Sequence, residues 1–383
     1  MTSLTPQDTF VPGRLQQIST RIAFFIAGLG IAAWAPLVPY AKARAGLDEG
    51  TLGLLLLCLG VGSILAMPLA GILAARFGCR RVATGGTLLI CAALPLLATV
   101  SSIPALVATL FMFGAGLGTV DSTVNLQAVI VERASGKHMM SGFHGLFSLG
   151  GIVGAAGVSA LLGLGLTPLT AMLVVVAVLF AALCKCVPHM LPYGSESAGP
   201  AFAVPHGIVL FIGGMCLIVF LTEGAALDWS AVFLTQERGI ETAYAGLGYA
   251  AFALTMTAGR LMGDRIVRIV GATRIILFGG LLAAAGLFLA TFAPSWQAAL
   301  VGYALVGAGC SNIVPVLYTA VGKQTVMPES IAVPAITTLG YAGILAGPAV
   351  IGFVAHASSL SFAFGLMAVL LVAVAMGGKV LKV

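Results

Sequence analysis

The stretch "HMLPYGSESAGPAFAVP", residues 189–205, is the longest polar interruption between the apolar runs of this chain. Its Pro, Gly and Ser content marks it as a linker. Outward from it, apolar runs about as long as a bilayer core requires, roughly 20 residues per helix, follow one another in both directions. They lie at about 20–41, 51–75, 81–100, 103–131, 140–163 and 167–188 before the link, and at about 206–230, 244–264, 274–293, 296–320, 330–354 and 360–379 after it. The reading is an all-α membrane protein of twelve transmembrane helices in two six-helix bundles. Residues 1–188 form the N-terminal bundle, 189–205 a linker, and 206–383 the C-terminal bundle.

Composition points the same way. The 383 residues are 60% hydrophobic and 8% charged, with mean hydropathy +1.12. A soluble domain carries about 25% charged residues, so this chain cannot coat a soluble globule of its size. The net charge of +6 does not indicate nucleic acid, because the basic residues sit in short loops without interleaved aromatics. The seven cysteines, mostly inside apolar runs, read as small buried hydrophobes. No metal-ligand spacing, phosphate loop or hydrolase motif occurs, so no cofactor, metal or enzymatic activity is expected. The polar N-terminal 19 residues do not read as a signal peptide.

Lys and Arg set the orientation. With a cytoplasmic N-terminus, fifteen of them fall on the inner side, and only Lys42, Arg44 and Arg238 on the outer. The positive-inside rule then places both termini and the linker in the cytoplasm of a bacterial cell, with the chain in the inner membrane. The halves also echo each other. "FGAGLG" (113–118) matches "VGAGCS" (306–311), and "GGIVGAAG" (150–157) matches "AGILAGPA" (342–349). Gly114 to Gly307 and Gly154 to Gly347 are both offsets of 193. Parallel repeats around a central cavity are a transporter build.

"GILAARFGCRR", from Gly71, resembles the loop motif G-x-L-a-D-r-x-G-r-[RK] of the major facilitator superfamily, through Gly71, Leu73, Arg76, Gly78, Arg80 and Arg81. Ala75 stands where the motif has aspartate. Asp264-Arg265 keeps the acid-base dipeptide in the second half. A finer similarity, to the YbjJ-like branch related to fucose permeases, is carried by 32–57, "DSTVNLQAVIVER" (121–133), "SGFHGLFSLGGIVGAA" (141–156) and "EGAALDW" (223–229). The resemblance implies a lock on the cytoplasmic side made by the loop motif, and a cavity faced by helices 1, 4, 7 and 10. It supplies no substrate.

Ionisable groups inside such helices are functional candidates by default. Asp121 and Asn125, one turn apart on helix 4, share a face. His144, at the start of helix 5, is placed to pair with Asp121. On helix 7, Glu223 has no basic residue within a turn of sequence. Asp228-Trp229 reads as an interfacial pair near the outer surface, with Lys42 or Arg44 as a partner for Asp228. Glu223, Asp121 and His144 are therefore the proton-coupling candidates. Asn125, Asn312 and Trp34 are the substrate-cavity candidates, each set against a packing role. Pro315 should free the carbonyl near 311 and leave it needing a partner. The gate candidates are Arg76, Arg80, Arg81, Asp228, Asp264 and Arg265. For Arg76, Glu132 or Glu329 is the expected counter-charge. Arg260 reads as a cation near the cytoplasmic end of helix 8, snorkelling into that gate.

The function these features indicate is secondary active transport by alternating access. The expected cargo is a small polar solute, sugar-like or carboxylate-bearing, carried with protons by a monomer whose partners are solute, protons and lipid. An exporter of hydrophobic or cationic compounds, or a sensor or scaffold on a transporter fold, are the alternatives. Direction, substrate and stoichiometry are not written in the sequence.

Overall fold

The computed structural model describes residues 12–47, 49–194, 204–240 and 246–381, and every regular element among them is helical. The middle of the link and Lys382 lie outside the described residues. The helices are α1 (Arg14–Ala45, with a 3-10 turn at Ala35–Leu37), α2 (Glu49–Phe77), α3 (Cys79–Thr99), α4 (Ile103–Ser135), α5 (Met140–Gly163) and α6 (Pro168–Cys186), then α7 (Gly207–Arg238), α8 (Leu247–Val270), α9 (Ala272–Phe292), α10 (Trp296–Lys323), α11 (Glu329–Ala357) and α12 (Leu360–Gly377). Eleven are long and apolar enough to cross a bilayer. The other, α8, has 24 residues and carries Arg260, Asp264, Arg265 and Arg268, which lower its hydropathy. At 1.5 Å per residue it is about 36 Å long, enough to span. This is a multi-pass membrane protein with the twelve-helix architecture expected.

Two helices run past their apolar stretches. α4 continues to Ser135, and α7 continues to Arg238 rather than ending near 230. In α7 the extension is amphipathic: Phe233 and Leu234 are buried while Glu237 and Arg238 are not. Helical spacing of the apolar positions, not continuous apolarity, carries the helix onward.

The chain divides into two compact units. The first contains Met1–Lys137, Leu146–Val204 and Met327–Ala335. The second contains His138–Gly145, Pro205–Val326 and Ile336–Val383. The link is one point of division. In addition, the first turns of α5 and α11 are exchanged, each belonging to the unit built mainly from the other half of the sequence. Gapless reading of the runs gives no hint of this.

Within each unit the same packing recurs. A Cβ on Gly114 would collide with the backbone carbonyl of Leu59, joining α4 to α2. A Cβ on Gly307 would collide with that of Phe252, joining α10 to α8. Phe252 lies 193 residues after Leu59, the offset that also separates the two glycines. Only a residue without a side chain permits these approaches, which give α2 and α4 their extensive contact.

An arginine clamp also recurs. Arg44, at the end of α1, donates from Nε to Val100 O (3.0 Å), from Nη1 to Ala98 O (3.0 Å) and from Nη2 to Leu97 O (2.7 Å). These carbonyls close the C-terminus of α3, where a helix leaves acceptors unsatisfied. Arg238, at the end of α7, donates to Thr291 O at the C-terminus of α9 and lies 4.7 Å from the Phe233 ring. Arg238 follows Arg44 by 194 residues, and Thr291 follows Leu97 by 194. Two of the three cations that break the Lys/Arg bias thus serve as caps for the third helix of their own unit.

Candidate functional site

In the second unit, Glu223 sits midway along α7 and Arg260 lies ten residues before the end of α8. Their side chains form an ion pair, Arg260 Nη2 to Glu223 Oε1 at 3.0 Å, with 7% and 16% of the side-chain surfaces exposed. The helix partner that sequence proximity did not offer Glu223 therefore comes from 37 residues on, across a helix contact. Arg260 does not lie at the helix end: ten residues place it about 15 Å inside. It is 6% exposed.

α10 is broken beside this pair. Its helical parts are Trp296–Cys310 and Ile313–Lys323, with Ser311 and Asn312 between them. Pro315 cannot donate to the carbonyl four residues back. Arg260 Nε donates to that carbonyl, Ser311 O, at 3.4 Å. Asn312 Nδ2 donates to Gly259 O (3.1 Å) and Ser311 Oγ (2.9 Å), tying the break to α8. The guanidinium is thereby fixed on one edge by a carbonyl and faces Glu223 on another.

His144 is 7% exposed, its ring 5.5 Å from that of Tyr318, whose hydroxyl shares a 2.7 Å hydrogen bond with Thr337. It belongs to the second unit, whereas Asp121 belongs to the first. Asp228 is exposed. It lies ten residues before the end of α7, because that helix is longer than its apolar run. Arg44, one of the two partners suggested for it, is engaged at the end of α3.

In the first unit, Asn125 Nδ2 donates to Asp121 O at 2.9 Å and approaches Asp121 Oδ1 at 3.4 Å, which places both side chains on one face of α4. Asn125 Oδ1 has no hydrogen-bond partner among the described residues. Trp34, just before the turn that breaks α1, is 5% exposed with its Nε1 similarly unpartnered.

A family model, the Major Facilitator Superfamily, matches residues 21–221. A curated relative described as an uncharacterized MFS-type transporter of Yersinia pestis is 55% identical over 380 residues, covering 99% of each chain. The chain belongs to the Major Facilitator Superfamily. It is a transporter-family protein and not an enzyme. It is also similar to the membrane protein MosC of Rhizobium meliloti, 32% identical over 91% of this chain and 86% of that one. Among solved structures, the E. coli fucose:proton symporter FucP matches with TM-score 0.79 at 16% identity, over 96% of this chain and 98% of that one, a likeness of fold.

Each unit carries a version of the loop motif. In the second, Asp264 Oδ1 accepts from the Gly142 amide at 2.9 Å, at the first turn of α5. α5 has no acid of its own in that turn. A carboxylate there meets the positive end of the helix. In the first unit, Ala75 offers nothing comparable, but α11 begins with its own acid, Glu329. Glu329 pairs with Arg133 in the last turn of α4, not with Arg76. Arg76 is exposed and lies 5.2 Å from the Phe77 ring. Arg80 donates to Met190 O (3.1 Å) and Pro188 O (3.0 Å), holding the start of the link. Arg81 and Arg265 are exposed. Arg133 escaped the sequence reading, although a base ending one helix and an acid starting another were the available signal.

Proposed function

We propose that this chain is a proton-coupled secondary transporter of a small polar solute, sugar-like or carboxylate-bearing, working as a monomer by alternating access. Its setting is the bacterial inner membrane, with both termini cytoplasmic. The observation that carries the proposal is the Glu223–Arg260 pair, placed mid-helix beside the broken α10 and still touched by solvent. A carboxyl can take up a proton and a guanidinium cannot release one. Protonating Glu223 removes the attraction that holds the pair and leaves α7 able to move relative to α8. Releasing the proton restores the pair. Intramembrane acids in transporters serve such relays, and Asp121 on α4 is the next candidate acceptor.

Purified protein is first screened by thermal shift against sugars, organic acids and lipophilic cations. The solute that stabilises it is then followed into reconstituted vesicles under an imposed pH gradient. Glu223→Gln, which mimics the protonated state, should abolish gradient-driven accumulation and retain solute exchange. Continued accumulation by the Gln variant would remove Glu223 from the coupling role. No flux of any stabilising solute would favour a sensor, and flux of lipophilic cations an exporter.

A further inference from the structure

We infer that the second unit holds one anionic phospholipid at the end where α7 begins, in the place that the chain itself fills in the first unit.

The units repeat each other position by position. Buried Ser19, Thr20 and Ala23 of α1 recur 193 residues later as buried Ile212, Gly213 and Cys216 of α7. Gly78 and Gly271, before α3 and α9, keep the same offset and the same positive φ, 84° and 88°. Buried Ala171, Met172, Val175 and Leu179 of α6 recur in α12 as Ala363, Phe364, Met367 and Leu371, at an offset of 192.

In the first unit, the residues after α6 turn back across the helix ends as a strap. Ser19 Oγ donates to Cys186 O (2.7 Å), and Gln127 Oε1 accepts from Leu191 N (3.1 Å). Arg80 N donates to Leu191 O (2.8 Å). Met190 and Leu191 are buried, and a Cβ on Gly78 would collide with the Pro192 carbonyl.

The second unit lacks the polar groups that hold this strap. Ile212 stands for Ser19, and Ala320 for Gln127. A Cβ on Gly271 would meet nothing within 4 Å. A cavity of about 320 Å³ opens at this place, with Ile212 and Ala320 in its wall. Ile208 and Leu381 extend the apolar part, while Lys323 and Thr325 add a polar part. Lys323, and Lys379 one residue before the lining Val380, are exposed. Neither ammonium has an ion pair or hydrogen bond among the described residues. No acid lines the cavity.

These walls suit an amphiphile with a negative head. A second peptide strap would bury its amides against Ile212 and Ala320 without partners, which is unfavourable. Hydrocarbon packs on those side chains with no such cost. The volume falls in the size class of small-molecule sites, roughly 300–1,000 Å³. Membrane-spanning helices end near the headgroups, and basic pockets between such ends take anionic headgroups. The lipid would join the ends of α7, α10 and α12 as the strap joins α1, α3 and α4.

Native mass spectrometry of the delipidated full-length protein tests this, with palmitoyl-oleoyl phosphatidylglycerol titrated against the phosphatidylcholine of the same chains. Wild type should bind the first phosphatidylglycerol about tenfold more tightly than phosphatidylcholine. Lys323→Gln should weaken that site about fivefold, and Lys323→Gln/Lys379→Gln about 25-fold. Thr325→Trp, which narrows the cavity from an exposed position without changing charge, should weaken it as well. Arg268→Gln removes an exposed cation from the last turn of α8, outside the cavity, and should leave binding within about twofold of wild type. No preference between the two lipids, indifference to Thr325→Trp, or an equal loss in Arg268→Gln would each overturn the inference. Displacement of the lipid by about 10 mM glycerol 3-phosphate would overturn it too, giving the site to a soluble phosphate.

Discussion

Replacing Arg44 with methionine keeps the aliphatic stem and deletes all three donors to the end of α3. Of the last carbonyls of that helix, Leu96 O already accepts from Val100 N at 2.8 Å. Leu97 O, Ala98 O and Val100 O depend on the guanidinium. Leu97 and Ala98 are 0% and 7% exposed, so water replaces the lost donors poorly. A hydrogen bond to a charged donor contributes about 1.5–3 kcal/mol net. The three bonds share one cation and do not add, and about 3 kcal/mol is a reasonable total. At roughly 1.4 kcal/mol per factor of ten, local opening at the end of α3 becomes about 100-fold more frequent. Hydrogen exchange read by mass spectrometry on peptides spanning 94–100, in nanodiscs, measures this directly. Arg44→Lys, with one point charge, should fall between wild type and Met. Exchange of the Met variant within threefold of wild type would show that the three bonds do not hold the helix end.

Gly307→Val should cost about 1–3 kcal/mol through its collision with the Phe252 carbonyl, seen as a lower melting midpoint. Gly157→Ala, where an added Cβ meets nothing within 4 Å, is the neutral control. Asp264→Asn keeps an acceptor for the Gly142 amide and loses the charge, so the first turn of α5 should exchange faster by the equivalent of about 0.3–1 kcal/mol. Asp264→Ala should exceed that, and equal effects of the two would show that charge is irrelevant. Pro315→Ala returns a donor to Ser311 O in competition with Arg260. It should raise stability by about 1 kcal/mol in thermal melts and lower flux in vesicles, and unchanged flux would mean the break in α10 is dispensable.

Much of the architecture was legible because bilayer thickness imposes length and composition on each helix separately. The glycine echoes were legible for a similar reason: Gly114 and Gly307 have no side chain because a backbone lies against each. The open carbonyl at 311 was readable from Pro315 alone, since proline chemistry is local. What could not be read was partnership. Glu223 and Arg260 meet only because α7 packs on α8, and nothing within a helical turn of either residue reports it. Arg133 and Glu329 are 196 residues apart, and nearer arginines in the loop motif drew attention first. In the sequence Arg238 counted only as a charge on the minority side, and Arg44 as that or as a partner for Asp228, whereas packing gives both of them carbonyls to hold. The length of α7 was underestimated because apolar content was used to bound a helix that continues on amphipathic spacing.

The exchanged first turns have a consequence in time. Gly142 and the carboxylate it donates to are separated by 122 residues of chain. A ribosome adding about 5–20 residues per second needs roughly 6–24 s to cover that distance. Arg133 waits longer for Glu329, 196 residues later, about 10–40 s at the same pace. During translation, then, the first six helices exist for several seconds without the pieces that complete the ends of α4 and α5. The first unit is finished only once Ala335 has been made, far into the second half of the chain, whereas the second unit takes in a piece, His138–Gly145, that was made long before the rest of it.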